Sequence, residues 1–247
     1  MNLLLDALSF LFDPANLTGT NGILSRLADH LFYTGLSMAV AIVIGIPLGL
    51  LVGHTGRGRN GVVAVSSAAR ALPTLGLIFL IILYTGLGVG PLIVVLVILA
   101  VPPLLAGAYS GLEAVNRQTI DAARAIGMTE WQILLKVEIP LAMPLIFGGI
   151  RSATLQVIAT ATIAGYVGLT GLGRFLIEGL ALRDYKLALA GAILVIALAL
   201  CVDAILAVAQ RLVIPHGVAR GLKRYTDESD APALRQHGRV SPVPSNP

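Results

Sequence analysis

Five runs of roughly 20 apolar residues, separated by short polar connectors, constrain this chain more than any other feature. A hydrocarbon core about 30 Å thick is crossed by about 20 helical residues, and lipid forces a spanning segment to satisfy its own backbone. The runs lie at residues 32–52, 62–84, 91–112, 141–167 and 187–208. They predict an all-α integral membrane protein with five spans. Pro47 and Pro73 fall inside the first two runs, where neighbouring helices can take up the freed carbonyls. Only 12% of the residues are charged, against about a quarter in a soluble domain, so there is room for one membrane domain and little else.

The basic residues give that domain a direction. Arg57 and Arg59 follow the first run, Arg117, Arg124 and Lys136 the third, and Arg211, Arg220, Lys223 and Arg224 the fifth. The opposite side carries Arg26, Arg174, Arg183 and Lys186. Lys and Arg collect in cytoplasmic loops, so this bias of about two to one predicts an N-terminus outside and a C-terminus in the cytoplasm. The net charge of +4 is then a property of loops at a lipid bilayer and not a sign of nucleic acid. The organisation expected is an external or interfacial segment over 1–30, a membrane domain over 31–211 with a cytoplasmic connector over 113–140, and a tail over 212–247.

The ends carry weaker signals. "MNLLLDALSFLFDP" has no basic leader and contains Asp6 and Asp13, unlike a signal peptide. Leu4, Leu8 and Leu11 are spaced for one face of an amphipathic helix on the membrane surface, and a loosely ordered leader is the other reading. The tail, rich in Pro, Ser and charge, is expected to be disordered, with Arg220, Lys223 and Arg224 close enough to the membrane to meet anionic lipid. The single cysteine, Cys201, allows no internal disulfide and reads as a small core residue.

The stretch "DAARAIGMTEWQILLKVEIPLAMP", residues 121–144, is amphipathic and charged where its surroundings are apolar. It reads as helix, turn, helix. Thr119 is a candidate N-cap with Asp121 in the first turn. Gly127 stands where a left-handed residue ends a helix, and Thr129 with Gln132 fits a capping box. Ile133, Leu134 and Val137 line an apolar face, and Pro140 and Pro144 mark re-entry into the membrane. Ala122 and Ala123 are small enough to let a partner approach the backbone. The residues alone allow two accounts: a rigid knob for a docking partner, or an ordinary loop lying on the bilayer.

An acidic residue, two alanines, Gly127 and the ending "VEIPLAMP" at these spacings resemble the EAA loop of permease subunits of ATP-binding-cassette (ABC) importers. Asp121 stands where that loop usually has Glu, which keeps the charge and shortens its reach. The resemblance runs from about residue 70 to residue 193. "RALPTLGLIFLIILYTGLGVGPLIVVLVI", "AGAYSGLEAV" and "GGIRSATLQVIATATIAGYVGLTGLGRFLIEGL" look like the osmoprotectant branch, which imports glycine betaine, choline or related quaternary amines. "TGLG" at 170–173 is shared with methionine-importer permeases, and Arg70 with Pro73 suits either branch.

The resemblance implies the five-span core of a type I importer permease, with the methionine-importer-like fold plus the N-terminal segment. It implies that Asp121, Ala122, Ala123, Gly127, Met128 and Thr129 couple the chain to a separate ATPase. It also implies a second permease subunit, identical or homologous, and an extracytoplasmic binding protein that captures the solute. ATP and Mg would sit on the ATPase, with no cofactor, metal or catalytic residue on this chain. The setting would be a bacterial cell membrane. A methionine or amino-acid importer is the alternative within this class; a stand-alone secondary transporter or a membrane scaffold is the alternative outside it.

Two charges fall inside apolar runs, where they need a partner or a cavity. Arg151 and Asp203 lie at similar depth, roughly 12–15 Å from the cytoplasmic ends of the fourth and fifth runs. They are expected to meet and lock those spans together. Arg70 is expected to snorkel to the interface. Gly168, Gly171 and Gly173 permit a tight external turn, after which Glu178, Arg183 and Asp184 are candidates to meet a binding protein. No phosphate loop, zinc motif or nucleophile with its base is present in the sequence.

Overall fold

The structure is a computed structural model, and it describes residues 2–214. The side chains of Val65, Ala69 and Arg70 and the chain from residue 215 onward lie outside that description. The snorkelling expected of Arg70, the disorder expected of the tail beyond residue 214 and the basic patch at Arg220, Lys223 and Arg224 lie there too.

All regular structure among the described residues is helical. Helices α1 (Leu3–Phe12) and α2 (Pro14–Leu17) precede the long α3 (Ile23–Thr55). Then come α4 (Arg59–Ala71), α5 (Thr74–Thr85) and α6 (Val89–Glu113). The connector holds α7 (Arg117–Ala125) and α8 (Glu130–Ile133). From α8 the chain continues through a π-turn (Leu134–Glu138) into α9 (Ile139–Ala161) and a 3-10 turn (Thr162–Val167). α10 (Gly173–Ala181) and α11 (Tyr185–Val213) complete the bundle. Four of these helical stretches are long and apolar enough to cross a membrane: Ile23–Thr55, Val89–Glu113, Glu130–Val167 and Tyr185–Val213.

The second apolar run forms two helices instead of one continuous span. Leu72 and Pro73 are both extended, with ψ of 125° and 108°. The proline ring disfavours helical geometry at the residue before it, and here the chain yields. Pro47 behaves otherwise and remains inside α3. Where α8 passes into α9, the Ile139 N–H reaches back five residues to the Leu134 carbonyl. That wider turn immediately precedes Pro140, which has no N–H to offer.

Lipid tails are as apolar as leucine, so close fit, not escape from water, holds such a bundle together. The central helix is α6, packed on α3 and on α9. A Cβ at Gly49 of α3 would lie 2.6 Å from both the Leu105 carbonyl oxygen and Ala108 Cβ. A Cβ at Gly149 of α9 would lie 2.8 Å from the Pro103 carbonyl oxygen and 3.0 Å from Gly107 Cα. Backbones meet there because side chains are missing. Around these crossings Met38, Ile78, Leu92, Leu96, Leu104 and Val157 form the main core.

The periphery adds a contact to one expectation and overturns another. Leu4 of α1 is exposed, as a surface-lying face allows, but the spaced leucines do not all share that setting: Ala7 is buried, and Phe10 and Leu11 pack with Phe175, Leu187 and Leu194. This helix lies against α11. Cys201 is exposed on α11 and is not a core residue, because the side of α11 that packs on α10 carries Ala188, Ala190 and Gly191 instead.

Candidate functional site

The connector folds as a small domain of its own. Asn116, not Thr119, caps α7: it is extended, and its side chain accepts the Gln118 N–H at 2.8 Å. Starting there puts Ile120 and Ala123 on the inner face, with Val115 just outside the helix. Asp121 accordingly lies beyond the first turn. α7 closes with the Met128 N–H on the Ala123 carbonyl at 3.2 Å and the Gly127 N–H on the Arg124 carbonyl at 2.9 Å. This closure needs the left-handed φ of +86° that Gly127 supplies. The Thr129 N–H then donates to the Gln132 side chain at 2.9 Å, and the Gln132 N–H to the Thr129 hydroxyl at 3.4 Å, starting α8.

The inward side chains Val115, Ile120, Ala123 and Ile133 form a miniature core, with Met128 and Val137 against it. Ala123 is therefore 7% exposed. The expectation that both alanines leave their backbone open to a partner is corrected for Ala123, whose small size serves the packing of α7 on α8. Ala122, Asp121, Gly127 and Thr129 face outward. Beside them Ile126 and Trp131 are exposed apolar side chains, 80% and 73% accessible.

A line of charges runs from this outer face into the bundle. Arg124 donates to Asp121 Oδ1 at 3.3 Å and grips Glu130 with two bonds, Nε to Oε1 at 2.9 Å and Nη2 to Oε2 at 3.1 Å. The Glu130 carboxylate, and Asp121 with it, hold the Arg124 guanidinium firmly protonated. Glu130 Oε2 lies 3.6 Å from His54 Nε2 at the end of α3, and His54 Nδ1 meets Glu138 Oε2 at 2.5 Å. His54 and Glu138 are absent from the residues that the sequence singles out. The signal available was a lone carboxylate, Glu138, at the entrance to an apolar run.

Deeper in the bundle the structure brings Arg151 and Asp203 together. Arg151 also donates to the Gln210 side-chain oxygen at 3.3 Å, and the Gln210 amide donates to the Pro144 carbonyl at 3.3 Å. Nearby, between α4, α6 and α9, a cleft of about 430 Å3 is lined by Ser66, Gly107, Ser110, Gly149, Ser152 and Gln156, among others. Among the described residues its lining offers hydroxyls, one carboxamide and bare backbone, and no ionised side chain.

At the opposite end Glu178 joins Arg26 at 3.1 Å and Arg174 at 2.6 Å, and the Arg26 guanidinium lies 4.2 Å over the Phe175 ring. Burial pushes the Glu178 carboxyl up, but the hydrogen bonds from Arg174 and Arg26 outweigh it, and its pKa lies below the ordinary carboxylate value. Glu178 is thus committed inside the chain. Asp184 is likewise occupied as the cap of α11, accepting the Leu187 N–H. Of the three residues expected to face a binding protein, Arg183 stands apart, with a left-handed φ of 57° that side chains rarely adopt.

Residues 41–215 match the family of binding-protein-dependent transport system inner membrane components. The glycine betaine/carnitine/choline transport system permease protein of Bacillus subtilis (strain 168) is 35% identical over 84% of this chain and 96% of its own. The osmoprotectant import permease protein of Salmonella typhimurium is 32% identical over 87% of this chain and 100% of its own. Among solved structures, an inward-facing form of the MetNI methionine ABC transporter aligns with a TM-score of 0.69 at 23% identity. It covers 78% of this chain and 96% of that one.

Proposed function

From the premise that this chain belongs to the binding-protein-dependent transport system inner membrane components, we propose that it is the membrane-spanning subunit of an ATP-driven importer for osmoprotectants. The solutes are quaternary amines such as glycine betaine or choline. The observation that carries this reading is the relatedness of more than four-fifths of the chain, at 32–35% identity, to permeases named for glycine betaine, choline or osmoprotectants. The methionine transporter shares the fold at 23% identity, and a shared fold does not choose a solute.

The geometry supports a passive conduit worked from outside. The cleft between α4, α6 and α9 offers hydroxyl and carboxamide oxygens to a cationic or zwitterionic solute, with no fixed counter-charge among its described lining residues to trap it. A conduit must release what it admits, so weak contacts suit it. ATP and Mg belong to a separate ATPase, docking on the outward face at Asp121, Ala122, Gly127 and Thr129 with Ile126 and Trp131 as apolar anchors. A second permease subunit completes the path, and an external binding protein selects the solute. The ends of the bundle then have opposite settings, with the Arg26–Glu178 end and the N-terminus outside and the connector and C-terminus in the cytoplasm.

The test is uptake by proteoliposomes holding the purified permease complex, with its ATPase and binding protein. Labelled glycine betaine or choline is expected to accumulate only with ATP inside. Accumulation of methionine and of neither amine would replace the solute, and uptake on an ion gradient without the ATPase would replace the mechanism.

A further inference from the structure

We propose that His54 is a positioning residue for energy coupling: it ties the connector to the cytoplasmic end of α3, so that a displacement of α7 is carried into α3 and α9 together. This rests on the reading of the connector as the ATPase-docking element. Three observations support it. Glu138 is only 4% exposed, and a carboxylate so placed requires a hydrogen-bonded partner. His54 Nδ1 is that partner, and opposite a carboxylate it donates. The other ring nitrogen faces Glu130, which Arg124 grips through both carboxylate oxygens.

The chain of contacts thus runs Asp121, Arg124, Glu130, His54, Glu138, from an exposed face of α7 to a buried position at the foot of α9. The backbone marks the same place. Glu138 ends the π-turn, and a π-turn inserted in a helix rotates the register of the next helical segment by about 100°, a device found mostly at functional sites. Covalent continuity already links the connector to α6 and α9. α3 packs on α6, and His54, 84 residues from Glu138 in sequence, adds a direct side-chain link from α3 to the connector and the foot of α9.

A bistable element must be pushed as one body if a small shift at the docking face is to become a change of access across the membrane. Without the histidine the connector would still fold, on Val115, Ile120, Ala123 and Ile133. It would then draw α3 along only through the packing of α3 on α6, and ATP hydrolysis would continue with less transport per cycle.

The decisive measurement is solute uptake and ATP hydrolysis on the same proteoliposomes carrying the full complex, for wild type, His54→Ala, Glu130→Gln and the double variant. Wild type is expected to show ATP-driven uptake; its failure to do so would overturn the transport reading and the tether with it. Against a working wild type, each single variant is expected to keep the ATPase bound and hydrolysis within about twofold. Uptake per ATP should fall about tenfold, in the range of coupling between two sites. The double variant should be no worse than either single one, since both cut the same link. Parallel loss of uptake and hydrolysis, an unchanged ratio, or additive effects would each overturn the proposal. Should His54→Ala fail to assemble, Glu130→Gln decides alone: it alters an exposed side chain, leaves the buried His54–Glu138 bond in place, and an unchanged ratio refutes the tether.

Discussion

Arg151 clasps Asp203 across the contact between α9 and α11 with two hydrogen bonds, Nε to Oδ1 at 2.9 Å and Nη2 to Oδ2 at 2.8 Å. Gln210, further along α11, joins the same guanidinium and ties it to the Pro144 carbonyl. A bidentate pair inside a bilayer has more to lose by the removal of one partner than it gains by its presence. Asp203→Ala is expected to lower the melting temperature of the protein in detergent, because it takes both carboxylate bonds from the Arg151 guanidinium. Replacing both, Arg151→Met with Asp203→Leu, is expected to restore most of the loss. Thermal melting of the purified variants measures both. Asp203→Asn separates structure from transport: stability kept and uptake lost would mean that the carboxylate serves the solute and not the bundle.

The α3–α6 crossing makes a sharper prediction because one helix contains its own control. A side chain at Gly49 would run into the Leu105 carbonyl, whereas a Cβ at Gly35 meets nothing within 4 Å. Gly49→Val is expected to cost about 3 kcal/mol or to abolish folding, as overpacking against backbone does. Gly35→Ala is expected to be neutral or stabilising by up to about 1 kcal/mol, from helix propensity. The yield of folded protein and its melting temperature give the comparison.

In the connector, two neighbouring alanines should behave differently. Ala123→Leu enlarges a side chain that is already packed on Ile120 and Ile133, so it is expected to loosen the connector itself. Ala122→Trp adds bulk on the outward face and is expected to leave the fold intact while preventing co-purification of the ATPase. Gly127→Ala forces a side chain into φ of +86° and is expected to cost about 1–2 kcal/mol of local stability. Hydrogen exchange of the α7 amides reports local opening and affinity purification reports docking. Normal docking with Ala122→Trp would place the ATPase elsewhere.

How far the sequence could be read depends on the range of each interaction. The apolar runs, the left-handed turn at Gly127 and the Thr129–Gln132 box are set within a few residues, and all were legible. Pro47 and Pro73 look alike in sequence, yet one stays in a helix and the other breaks it, a difference that no local pattern announces. The choice of Asn116 over Thr119 as cap turns on which start places Ile120 and Ala123 inward. Arg151 and Asp203 announced themselves by being charged where charge is costly. His54 and Glu138 did not, since a histidine at a helix end and a glutamate at an interface have ordinary local explanations, and only the folded chain puts them in contact. The burial of Ala123 was hidden for the same reason: small residues suit a docking face and a tight core equally.

At the other end of the bundle, Glu178 makes the packing of α10 sensitive to acid. The unfolded chain binds a proton at the ordinary carboxylate value, about 4.3, whereas in the folded protein Arg174 and Arg26 hold the pKa lower. A depressed carboxylate contributes stability that is complete above the unfolded value and is lost as pH falls through the folded one. The contribution is therefore expected to be flat from about pH 8 to about 5, to decline as pH drops past the unfolded value, and to be lost once pH has passed the depressed folded one. Other carboxylates titrate in the same window, so the informative quantity is the difference in melting temperature between wild type and Glu178→Gln. That difference should be constant near neutrality and shrink towards zero in acid, as the wild-type carboxyl becomes as neutral as the amide. Proteolysis between α10 and α11, near Arg183, should quicken over the same range as α10 comes away from Arg26. A difference that grows as pH falls would mean that Glu178 is held protonated in the fold, and that Arg26 is stabilised by the Phe175 ring alone.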